Sequence, residues 1–186
     1  MGIFMKLAAA IDRLNDVIGR SISWLSTLLV VVVCFDVFTR YFMRSSSVAV
    51  QEMEWHIFAV LFLVGAAYTL KEDAHVRVDV FYSRMTPRQK AFIDLIGSLV
   101  FLIPFSLLVI YTSQTFISMS YAIQETSPDP GGLPYRFLLK AMIPSGFFLV
   151  LLQGISMIIH ALCTLAGKPT TTPTTAESTD AERQHA

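Results

Sequence analysis

Few side chains in this 186-residue sequence are of types that do chemistry, and their spacing limits what they can do. His56 and His160 sit within apolar runs, where an imidazole is a candidate metal or haem ligand. The runs place His56 one turn from one end of a helix and His160 near the opposite end of another. A shared metal or haem needs its ligands at one depth, so the pair does not make a site. His75 and Asp79 are spaced for one helical face, but two ligands do not close a metal site. Cys34 and Cys163 lie in separate apolar runs, too far apart for the Cα separation of at most about 7 Å that a disulfide needs. They read as small buried hydrophobes. There is no nucleophile elbow, no pair of histidines flanking a Glu-x-x step, and no phosphate-cradling glycine loop. Glu125 and Asp129 read as solvated acids of a loop. The sequence therefore points to no catalytic residue, cofactor or metal, and to no enzymatic activity.

The elements that carry these residues are membrane spans. Hydrophobic residues make up 54% of the chain and charged ones 15%, against about 45–50% and roughly 25% for soluble domains. Mean hydropathy is +0.58. The expected fold is all-α, an integral membrane domain over residues 17–166 with four spans at about 18–39, 52–70, 88–121 and 134–165. The first contains Leu28-Leu29-Val30-Val31-Val32-Val33. That β-branched run would suit a strand in water, but in lipid the backbone must satisfy its own hydrogen bonds, so helix wins. Asp36 and Arg40, four apart, are placed to pair. Thr86-Pro87 reads as a cap followed by proline at the first helical position of span three. Pro104 and Pro144 are candidate kinks.

Residues 1–16 alternate apolar Ile3, Phe4, Leu7, Ile11 and Leu14 with Lys6, Asp12 and Arg13, the pattern of an interfacial amphipathic helix. Residues 167–186 are rich in Thr, Pro, Ser and Ala and lack large apolar residues, the composition of a disordered tail. Four spans put the N-terminus, the middle loop and the C-terminus on one side. That side holds ten of the 14 lysines and arginines, so both termini are expected in the cytoplasm. Net charge is zero and suggests no nucleic-acid partner.

Charge inside a span is expensive and commonly functional. Here Asp36, Glu52, Glu54, Lys71 and Asp94 all fall within a turn or two of a span end. A carrier that moves ions itself is expected to place polar groups at the midplane, often on broken helices. Ser98, Ser106, Thr112, Ser113 and Gln114 on span three are the nearest approach and read as no continuous face. The residues favour an accessory membrane subunit; the alternative is a self-contained four-span channel or small carrier. Gly65-Ala66-Ala67 offers a smooth surface for close helix approach. Ser127-Pro-Asp-Pro-Gly-Gly-Leu-Pro-Tyr-Arg136 reads as a rigid turn that sets the entry of span four.

Several of these segments together resemble a known family. The run Glu54-Trp55, then Gly65-Ala66-Ala67-Tyr68, then Asp73-Ala74-His75-Val76-Arg77-Val78-Asp79 is similar to the small membrane subunit of TRAP transporters, the DctQ-type component. Pro128-Asp129-Pro130-Gly131-Gly132-Leu133-Pro134-Tyr135-Arg136 is similar to a subset of that family. The resemblance covers roughly Ile18 to Leu165. It implies a sodium-coupled tripartite importer of organic acids in a bacterial inner membrane. Its partners would be a large multi-span permease subunit (M-type), a periplasmic substrate-binding protein and membrane lipids. Glu54, Trp55, Gly65, His75, Arg77, Asp79, Asp129, Gly131, Gly132 and Arg136 become candidate interface or structural positions.

Overall fold

The computed structural model describes residues 2–72 and 85–167. His75, Arg77 and Asp79 and the tail from 168 onward lie outside the described residues. The described elements are helices: α1 (Gly2–Phe42), α2 (Val48–Lys71), α3 (Pro87–Ile96), a π-helical stretch (Gly97–Leu102), α4 (Ile103–Ala122) and α5 (Arg136–Leu165). Four helical rods are long and apolar enough to cross a membrane: α1, α2, the continuous Pro87–Ala122 rod, and α5. The protein is a multi-pass membrane protein.

Residues 2–16 are not a separate element. They form the first turns of α1, which runs unbroken for 41 residues, about 60 Å at 1.5 Å per residue. Nothing between Asn15 and Ile18 breaks a helix, and Ala8, Ile11, Asn15 and Gly19 bury one face of this extension. The opening of span three is as its sequence implies. Gln89 donates its backbone N–H to Thr86 Oγ1 at 3.4 Å, and the Thr86 N–H reaches back to Gln89 Oε1 at 2.9 Å. This capping box with Pro87 at its first turn satisfies amides that have no partner within the helix.

α5 packs against every other element. The α1–α2 pair lies on one side and the α3–α4 rod on the other, with little packing between these two groups. α1 and α2 are antiparallel. Lys71 meets Asp16, Tyr68 closes on Gly19, and Gly65 faces Ile22. A Cβ at Gly19 would overlap the Tyr68 ring, and one at Gly146 would overlap the Leu63 carbonyl, so glycine lets these backbones approach.

Of the polar residues read on span three, Thr112 and Gln114 are exposed and off the others' face, but Ser98, Ser106 and Ser113 share a face with Ser120, which the sequence reading did not include. Ser98, Ser106, Ser113 and Ser120 are all buried, and that face is turned onto α5. The last three are seven apart, the repeat that keeps one stripe on one neighbour. Ser98 is eight from Ser106, and the π-helical stretch between them absorbs the extra residue. There Ile103 donates to the Ser98 carbonyl, five residues back instead of four. The stretch ends two residues before Pro104, which has no N–H to continue the ladder. These hydroxyls sit at a helix–helix contact within the chain, where small side chains permit close approach.

Candidate functional site

Polar side chains concentrate at the two ends of the bundle. At the first end, Glu52 opens α2 and is buried, 4% exposed. Its carboxylate accepts from Ser127 Oγ, from the Leu133 backbone N–H at 2.6 Å, and faces Arg136 Nη2 at 3.6 Å. One acid thus ties the 123–135 connection and the start of α5 to α2. The same Arg136 lies over the Trp55 ring, 5.5 Å from its centroid, a cation–π arrangement.

The loop suits this acid because of its turn chemistry. The Gly132 N–H donates to the Asp129 carbonyl at 3.0 Å, closing a four-residue turn with Pro130 second and Gly131 third. Gly131 has φ +83°, the left-handed value that a type II turn demands at its third residue. At Gly132 a Cβ would overlap Ser127 and come within 2.8 Å of Glu52 Oε2, so only glycine lets the loop close on the acid. Tyr135 takes a left-handed conformation, φ +63°, as the chain turns into α5.

A second carboxylate holds the other flank of the loop, and the reading of Glu125 as a solvated acid is corrected. Glu125 accepts from Lys140 Nζ and, at 2.6 Å, from Ser120 Oγ. Its backbone carbonyl accepts from the Arg136 N–H at 3.0 Å. The Lys140 hydrogen bond, then that of Ser120, holds the Glu125 carboxyl below its ordinary value of 4.5 against the opposing effect of burial. Lys140 also lies 4.0 Å from the Phe116 ring centroid.

The structure brings only part of the expected set together. Gly131, Gly132, Arg136 and Trp55 belong to this clamp. Asp129 is exposed at the turn, its backbone N–H on Ser127 Oγ at 3.2 Å. Glu54 carries a buried Oε1 with no hydrogen-bond partner. Gly65 is remote from the clamp and lines an apolar cavity between helices. Asp36 and Arg40 pair as their spacing implies.

The opposite end holds a cluster that sequence reading missed. Asp12 Oδ1 accepts from Ser156 Oγ at 2.6 Å and from Gln153 Nε2 at 3.1 Å, and its Oδ2 faces His160 Nε2 at 3.0 Å. Asn15 Nδ2 donates to Gln153 Oε1 at 2.7 Å. Gln153, Ser156 and His160 fall at helical spacing on α5, and Asp12 and Asn15 on α1, so five side chains zip the two helices together. The spacing of Gln153, Ser156 and His160 was the available signal. Near the same end Lys71 bridges α2 to Asp16 at 2.9 Å, and Arg20 reaches Asp16 at 3.0 Å.

These arrangements hold helices and a loop in place. Among the described residues no group of three or more His, Cys, Asp or Glu side chains could hold a metal. A search of curated proteins gives no match. A family model described as the DctQ component of tripartite ATP-independent periplasmic transporters matches residues 29–164. That stretch takes in the loop clamp, α2 and most of α5, and the chain belongs to this family of transporter components.

Proposed function

We propose that this chain is the small membrane subunit of a sodium-coupled tripartite importer of organic acids in a bacterial inner membrane. It would scaffold a large multi-span permease subunit and help to dock a periplasmic binding protein. Family membership carries the reading. Two physical features support it. The polar side chains of the clamp and the zipper are spent on pairing helices and a loop. In the most apolar window of α1 only 6% of residues are buried by the chain itself, which leaves a broad face for a partner or lipid. The lysine and arginine distribution supports both termini in the cytoplasm, and the 123–135 loop then faces the periplasm. The scaffold itself needs no catalytic group, cofactor or metal.

Co-purification tests the scaffold. An equimolar multi-span partner is expected, and a chain that transports alone in proteoliposomes overturns the reading. Docking is tested at Asp129, which is exposed on the loop; Arg136 is tied into the clamp and its reversal would confound assembly with docking. Asp129→Lys is expected to lower uptake while the assembled complex is retained. Unchanged uptake would make the loop a connector alone.

A further inference from the structure

A cavity of about 680 Å³ opens in the described bundle, lined by α1, α2, α4 and α5 and almost wholly apolar. Its wall follows α2 from Leu61 to Leu70, about 13 Å at 1.5 Å per residue. Gly65 leaves open space on its wall, and the exposed rings of Phe62 and Phe105 lie on its lining.

Such a space does not stay empty beside lipid. Close-packed interiors carry few voids larger than a water molecule, and destabilisation grows with cavity volume. A wall so largely apolar gives water few partners. A flexible hydrocarbon chain conforms to an irregular apolar wall, whereas a helix about 10 Å across is a rigid body that needs a matching groove.

The rim says what heads that chain. The wall ends at Leu70, and the next residue is Lys71, whose Nζ lies 5.7 Å from the ring of cavity-lining Tyr68. Arg20, the neighbour of cavity-lining Gly19, stands at the same end, its side chain 75% exposed and its Nε on Asp16. Lys71 also reaches Glu72 Oε1 at 3.1 Å. These rim charges pair with one another, but Arg20 is engaged through Nε alone among the described residues, so its exposed Nη groups remain for a phosphate, and Glu72, engaged through Oε1, stands beside them for an ammonium. We infer that the cavity is a phospholipid site, one acyl chain lying along α2 and a zwitterionic headgroup at Lys71 and Arg20, in the leaflet on the side of the N-terminus. The lipid completes the bundle between α2 and α4 independently of any transport role.

The test uses the full chain extracted into polymer-bounded native discs and examined by native mass spectrometry. The wild type is expected to keep one phospholipid mass adduct after mild delipidation. Gly65→Leu should lose it, because a Cβ at Gly65 meets nothing closer than Ile22 Cγ2 at 3.9 Å and the added side chain fills the cavity. Lys71→Gln should weaken retention, while Val31→Ala on the exposed face of α1 should keep it. A photoreactive residue at Leu63, introduced in intact membranes, should be captured by phospholipid, and this holds even if Gly65→Leu misfolds. Capture at Leu63 by another protein or a second copy of the chain overturns the proposal. So does a wild type that sheds lipid as readily as Gly65→Leu.

Discussion

The bundle is pinned at both ends by an acid, buried at Glu52 and half-buried at Asp12, but the two pins do different work. At the loop end, Glu52 holds a backbone N–H, a hydroxyl and an arginine that all come from the 127–136 stretch. At the other end, Asp12 holds only side chains, and all three belong to α5, 141 to 148 residues away along the chain. The first pin shapes a loop; the second fixes the register of two helices. A carboxylate that accepts a backbone amide organises local chain. One that accepts from a ladder of side chains on a neighbouring helix selects a helix pairing, and in lipid such polar contacts are what distinguishes one apolar surface from another.

The largest effect is therefore expected from breaking the helix pin. Gln153 is 3% exposed and bonds both Asn15 and Asp12. Gln153→Leu strands the Asn15 amide, which is itself 1% exposed. Leaving a buried donor unmade costs about 1–3 kcal/mol. At about 2–4 °C per kcal/mol for a chain of this size, melting in mild detergent should fall by several degrees. Adding Asn15→Leu removes both partners and should recover part of the loss, since an apolar pair of similar shape can be nearly neutral. A single variant that melts with the wild type would show that the cluster is not a pin.

The two ends also differ in how far their sequence disclosed them. Asp129-Pro130-Gly131-Gly132 states its turn outright, because proline and a positive-φ glycine occupy the positions a type II turn reserves for them. Thr86-Pro87 with Gln89 does the same for the start of α3. Four spans follow from apolar length alone. The Asp12 cluster was not legible in that way. Its members are ordinary polar residues until α1 and α5 are laid together, and Asp12 looked like the wet face of an interfacial helix. The serine face was overlooked because Thr112 and Gln114 blur it in the sequence; spacings of seven and eight keep the serines on one side of a regular helix, and the π-helical stretch draws Ser98 further into line. Glu125 was read as solvated because its main partner, Lys140, lies beyond the turn. Each missed pairing is one that needs a third dimension.

A second substitution sharpens the contrast from the loop side. Gly132→Val forces a side chain into Ser127 and Glu52, so the loop must lift from α2. If this pin shapes only the loop, melting of the bundle should shift by no more than about 2 °C, the equivalent of roughly 0.5–1 kcal/mol. Hydrogen exchange across residues 123–135 should nevertheless rise sharply, because the bonds from Ser127 to Leu133 and from Leu133 to Glu52 go together. A loss of melting temperature as large as that of Gln153→Leu would erase the distinction between the two ends.

The smallest expected effect is a pH response confined to the loop end. The Glu125 carboxyl is held below 4.5 in the folded chain, chiefly by Lys140, so its contribution is complete above the ordinary carboxylate value. Acidification removes that contribution as pH falls through the lowered folded value. The Arg136 N–H bonds the Glu125 carbonyl while the Arg136 side chain covers Trp55, so indole fluorescence reports the loosening. In a Trp24→Phe/His56→Gln background, which removes the imidazole 4.0 Å from the Trp55 ring, emission should stay flat above pH 4.5 and change only below it. Glu52 faces the same arginine, which makes the Glu125→Gln chain the deciding control: it should lack the Glu125 step and already show part of the loosened emission at neutral pH. A transition that survives unchanged in Glu125→Gln would assign the response to the α2 side of the clamp, and the loop would then hang from Glu52 alone.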